Sequence, residues 1–174
     1  GVSTEDKFPH GGFVWHTTGS GKTITSFKTA LFLSTRGGFD KVVFLVDRRE
    51  LDRRTSDNFK AYAAYEPVTV DDTQHTYQLK KIMKSPNRGI VVTTTYKLSN
   101  LVDDLEDNQD DGLKDKKIIF IIDEAHRTTM GRMMGTIKEH FREKGLFFGY
   151  TGTPLYQENK AKGMFDKNSE VIDT

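Results

Sequence analysis

WHTTGSGKT, Trp15 to Thr23, separates a short apolar run, GFVW (12–15), from a segment whose apolar residues Ile24, Phe27 and Leu31 recur at helical spacing. Strand, glycine-rich turn and helix in that order bring backbone N–H groups to the positive end of a helix dipole, which is how a chain cradles phosphate. The amides of Thr18, Gly19, Ser20, Gly21 and Lys22 can point inward at phosphate oxygens, and Gly19 and Gly21 remove side chains where the backbone must approach a ligand. Lys22 supplies a point charge to β- and γ-phosphates, and Thr23 a hydroxyl for Mg2+. His16 stands where the general pattern G-x-x-x-x-G-K-[ST] has its first glycine, a departure that spares the residues meeting phosphate.

Outward from this turn, short apolar runs alternate with helical patterns. KVVFLV (41–46), GIVVTTT (89–95), KIIFII (117–122) and LFFGY (146–150) are β-branched or aromatic and apolar on both faces, as strands buried in a parallel sheet are. A further short strand is expected around Val68–Val70. Leu51, Thr55, Phe59 and Tyr62 mark a helix that Asp47 and Glu50 can cap. Leu79, Ile82 and Met83 mark another, ended by Ser85-Pro86-Asn87-Arg88-Gly89, and Leu98, Leu101, Val102 and Leu105 a further one. The expected architecture is α/β, a predominantly parallel sheet with helices on both faces. Residues 103–116 read as an acidic, solvated surface loop and 156–174 as a polar tail, which places the domain at 1–155.

The 174 residues suffice for one domain, and the absence of cysteine excludes disulfides and cysteine-ligated zinc. No apolar run approaches the ~20 residues that cross a bilayer, and the N-terminal sequence has no signal-peptide character. A soluble, cytoplasmic protein without a membrane partner is expected. A net charge of +1 gives no strong positive field, so any nucleic-acid contact must come from a local patch. Arg48, Arg49, Arg53 and Arg54 form such a cluster, which can equally be an ordinary helix face laced with Asp47, Glu50 and Asp52.

The second signal is IIFIIDEAHR, where a buried strand runs into Asp123 and Glu124. Open α/β folds gather ligands at the C-terminal ends of their strands. Asp123 suits magnesium, and Glu124 can orient and polarise an attacking water. Two acids after a strand can also merely cap a helix, a reading that the phosphate loop weakens. His126 lacks the H-E-x-x-H spacing of a zinc helix and suits a coupling role. TGTP, Thr151 to Pro154, again ends a strand; the hydroxyls of Thr151 and Thr153 can sense the nucleotide or hold the Asp123 loop.

GSGKT, DEAH and TGTP in this order resemble the first RecA-like domain of superfamily 2 helicases and translocases. No guanine-reading N-K-x-D run is present, so ATP is favoured over GTP. VWHTTGSGKT, FLVDRRELDRR, TTTYKL, FIIDEAHR and GYTGTP together resemble the motor subunit of type I restriction-modification enzymes, in which His16 is a familiar occupant and glutamine is commoner than Tyr96. The resemblance covers roughly residues 12–155. It implies a large subunit with a nuclease domain, two RecA-like motor halves and a helical C-terminal region, which uses ATP to pull duplex DNA toward specificity and methylation subunits before cleavage. On that reading the chain is one motor half, the second follows in cis and supplies the arginine for hydrolysis, and 156–174 lead toward it. Poor hydrolysis by this half alone follows, because a trans-acting arginine is commonly worth several orders of magnitude.

Arg48, Arg49, Arg53, Thr93 and Thr94 would then lie on the DNA side and make sequence-independent phosphate contacts. Two other enzyme readings stand beside this one, a DEAH-type RNA helicase core and a small-molecule kinase. A regulatory nucleotide-binding module that switches without translocating is a third.

Overall fold

The computed structural model describes residues 12–15, 22–46, 57, 59–61, 68–70, 75–123, 130–151 and 170–173. The expected apolar runs become strands of a single sheet: β1 (Gly12–Trp15), β2 (Lys41–Val46), β3 (Val68–Val70), β4 (Ile90–Thr94), β5 (Ile118–Ile122) and β6 (Gly145–Thr151). A seventh, β7 (Glu170–Asp173), pairs with β1. The order is β3-β4-β2-β5-β6-β1-β7 and every pairing is parallel. The sheet thus continues past residue 155, and the polar-tail expectation is corrected for residues 170–173. Among the described residues four helices lie between strands, α1 (Lys22–Arg36), α2 (Thr76–Lys84), α3 (Thr95–Asp107) and α4 (Met130–His140), and residues 57 and 59–61 are helical as well.

The alternation of side chains along each strand divides the interior in two. Val43 and Leu45, Val91, then Ile118, Phe120 and Ile122 face α2, α3 and α4, packing on Leu79, Leu98, Leu101, Met134 and Ile137. The intervening residues Val42, Phe44 and Val46, Ile90 and Val92, then Ile119 and Ile121 face the other way, onto Phe27 and Ala30 of α1 and onto Phe59. Phe27, Phe44 and Phe59 form a ring cluster with centroids 4.9 to 5.7 Å apart. Every residue of β2, β4 and β5 is buried, which is why these strands read as continuous apolar runs.

Two expectations change. Ile24 is 40% exposed, and Ala30 takes the core position beside Phe27 that the spacing gave to it. The acidic stretch 103–116 begins inside α3, and Leu113 in the following turns is fully buried against the α2–α3–α4 core. Its carboxylates are latched rather than merely solvated: Lys80 Nζ lies 3.0 Å from Asp104 and Lys84 Nζ donates to Asp110 at 2.7 Å. The capping pair Asp47 and Glu50, with Leu51, Thr55 and Tyr62, lies outside the described residues.

Between α4 and β6 the chain turns tightly at Gly145, whose N–H donates to Phe141 O at 2.7 Å. A Cβ there would stand 2.6 Å from that carbonyl oxygen, so only glycine fits without displacing the turn.

Candidate active site

Because all strands are parallel, the C-terminal ends of β1, β6, β5, β2 and β4 share one edge, and α1, α2, α3 and α4 all start from it. Register fixes the details. Trp15 pairs with Thr151, Gly149 with Ile122, Ile122 with Leu45, and Val46 with Thr94. β6 stands between β1 and β5, so the strand feeding the glycine-rich turn and the strand feeding the acids are two spacings apart, about 10 Å. A triphosphate with its metal can span that gap.

Lys22 and Thr23 are the first two residues of α1, and no acidic residue occupies the first turn, which leaves the positive helix end available to an anion. Asp123 follows β5 directly. Its N–H donates to Leu45 O at 2.9 Å, extending the β2–β5 ladder by one bond, and the residue is 1% exposed. A carboxylate buried at the C-terminal edge suits a cation. Thr151 ends β6, opposite Trp15 in register. His16, Thr18, Gly19, Ser20, Gly21, Glu124, His126 and Thr153 lie outside the described residues, as do Arg48, Arg49, Arg53 and Arg54.

Thr93 and Thr94, expected as DNA contacts, are buried residues at the end of β4. Thr93 is fully buried, and Thr94 Oγ1 accepts from Lys97 N at 3.2 Å as the N-cap of α3. Thr95 is buried as well, and the exposed residue at this helix start is Tyr96, at 47%.

Tyr150 was missed as a site-supporting residue. Its hydroxyl donates to Thr29 Oγ1 at 3.0 Å, and Thr29 Oγ1 donates to Thr25 O at 3.0 Å, so the end of β6 is tied to the first turns of α1. Burial pushes the Tyr150 phenol up, with the Thr29 hydrogen bond pulling the other way, so it stays a neutral donor. The signal lay in a lone polar atom within LFFGY, the apolar run immediately before TGTP.

Among the described residues no group of three or more His, Asp or Glu side chains could hold a metal by itself, and no helix is long and apolar enough to cross a membrane.

Sheet order, helix placement and edge together define a RecA-like P-loop domain of the helicase type. The Pyrococcus furiosus Hef helicase domain superposes on 95% of this chain, using 36% of its own, at a TM-score of 0.65 and 19% identity. The Sulfolobus solfataricus SWI2/SNF2 ATPase core, solved in complex with dsDNA, covers 89% of this chain and 30% of its own at 0.57 and 19%. The chain belongs to the SWI2/SNF2 ATPase family, whose model matches residues 2–174.

Within reach of that family, the chain is 41% identical over 151 residues to the type I restriction enzyme SsaAORF53P endonuclease subunit of Staphylococcus saprophyticus, covering 87% of this chain and 16% of that subunit. It is 42% identical over 133 residues to the C-terminal part of the putative type I restriction enzyme MpnIIP endonuclease subunit of Mycoplasma pneumoniae, covering 75% of this chain and 63% of that protein. The chain therefore spans about a sixth of the staphylococcal subunit's length.

Proposed function

We propose that the chain is the first motor half of an ATP-dependent double-stranded DNA translocase within a type I restriction endonuclease subunit. One observation carries this reading: parallel register sets the start of α1, Asp123 and Thr151 along one edge, with β6 between the two ligand-bearing strands. Identity of about 40% to type I endonuclease subunits supports the biological setting.

In this reading the amides of Thr18, Gly19, Ser20 and Gly21 hold the phosphates, and Lys22 places its charge on the β- and γ-positions. Thr23 and Asp123 fit a magnesium ion, which when bound would neutralise charge on those phosphates. Glu124 orients and polarises the attacking water. His126, Thr151 and Thr153 couple the state of the nucleotide to neighbouring elements. Arg48, Arg49 and Arg53 are the chain's candidates for duplex phosphate contact. A second motor half in cis, reached through 156–174, supplies the missing arginine, and specificity and methylation subunits complete a cytoplasmic complex.

The test is nucleotide binding, measured by calorimetric titration of ATP with Mg2+. Lys22→Ala is expected to weaken binding at least ~100-fold, since it removes a charge-assisted contact made in a water-poor site. Asp123→Asn is expected to abolish the magnesium dependence while leaving metal-free binding. Equal affinity in the parent chain and Lys22→Ala would refute the reading.

A further inference from the structure

At the opposite, N-terminal edge of the sheet lies a cleft of about 270 Å3 to which no role has been given. It opens between the end of α2 and the beginnings of β2 and β4, and is lined by Lys41, Lys81, Arg88, Ser85, Asn87 and Gly89 among others. Among the described residues no carboxylate lines it.

Charge pairing on α2 makes this distinctive. Lys80 sits 3.0 Å from Asp104 and 3.2 Å from Asp110, and Lys84 also pairs with Asp110. Lys81 and Arg88, the two that reach the cleft, have no carboxylate partner among the described residues. At the floor Lys41 is 3% exposed, with Nζ donating to Asn87 O at 2.6 Å and to Ser85 Oγ at 3.4 Å. The nearby carboxylate of Asp40 is engaged elsewhere, accepting from Lys117 N at 2.8 Å.

Three cations converging on a concave site whose described lining holds no carboxylate create a local positive potential that low-dielectric walls concentrate. The end of α2 opposes this with its partial negative charge, but the Ser85 N–H already takes up the carbonyls of Lys81 and Ile82, at 3.1 and 3.3 Å. Burial, and then the neighbouring Lys116, lower the Lys41 pKa, as expected of an ammonium that would gain from an anion beside it.

We propose that this cleft binds a phosphate group, held by the Arg88 guanidinium and Lys81 at the rim and by Lys41 from below. Arg88 offers a planar fork matched to two oxygens of one anion. The volume takes one phosphate group at a time. The site is separate from the start of α1, which lies at the other end of the strands, and it stands whether or not the GSGKT stretch binds ATP.

The test is a titration of the 174-residue chain carrying Lys22→Ala, which removes the main charge of the glycine-rich turn, with inorganic phosphate, followed by amide NMR. Saturable shifts at Ser85, Asn87 and Gly89 are expected, weakening with added salt. Arg88→Ala and Lys81→Ala should each reduce the affinity about tenfold, the worth of a charge-assisted hydrogen bond. Arg88→Lys should retain part of it. Both side chains are exposed, so neither substitution threatens the fold. A parallel titration with a short DNA duplex identifies the source: tighter saturation of the same amides assigns the phosphate to a nucleic-acid backbone, and no response assigns it to a small molecule. Shifts confined to residues 18–23, or shifts unchanged in Arg88→Ala, would overturn the proposal.

Discussion

Tyr150 shows how a single hydroxyl bears on the edge where the candidate site lies. The Tyr150–Thr29–Thr25 chain of hydrogen bonds joins the last residues of β6 to the helix that begins at Lys22. The end of β6 and the first turns of α1 are thus joined through Tyr150. Tyr150→Phe keeps the ring in the core and removes only the donor, so it should lower the unfolding free energy by about 0.5–1.5 kcal/mol in urea titration. A loss above about 3 kcal/mol would mean that the ring had moved. At this scale position was readable from sequence: Lys22 begins a helix, Asp123 follows a strand and Thr151 ends one. The sequence did not reveal the second task of Thr94: a threonine immediately before a helix can cap it, and Thr94 Oγ1 accepts from the Lys97 amide.

Among the elements, α2 and α3 are fastened by more than their apolar faces. Asp110 is held at about 2, foremost by its hydrogen bond from Lys84, then by the Gly112 amide and by Lys80. A carboxylate depressed below its ordinary 3.8 stabilises the fold fully above that value and loses the contribution as pH falls through the folded value near 2. Asp110→Asn should therefore melt below the parent chain at neutral pH, and the gap in Tm should close between about pH 4 and pH 2. A gap constant across that range would remove the latch from the account. The elements best read from sequence are β2, β4 and β5, because burial on both faces leaves an unbroken apolar run. α4 went unread although Met134 and Ile137 carry its buried face, since the glycines and methionines of MGRMMGTIKEH obscure the period. β7 went unread because EVID is short and half polar, and it becomes a strand through the partner that β1 offers.

For the whole molecule, the parallel sheet turns a linear order of motifs into one edge. Glycine-rich turn, acids and TGTP are far apart along the chain, and register alone brings their strands within two spacings of one another. The chain spans 16% of the length of its staphylococcal relative. The central claim is that this part binds nucleotide and needs a second motor half to turn it over. The direct measurement is ATP turnover with and without duplex DNA, for the 174-residue chain and for a version joined to a downstream motor half, each beside Lys22→Ala. The account predicts negligible turnover by the short chain, and duplex-stimulated turnover by the joined chain that Lys22→Ala abolishes. Lys22-dependent, duplex-stimulated turnover by the short chain alone would show that the catalytic site is complete within it, and would contradict the half-motor account.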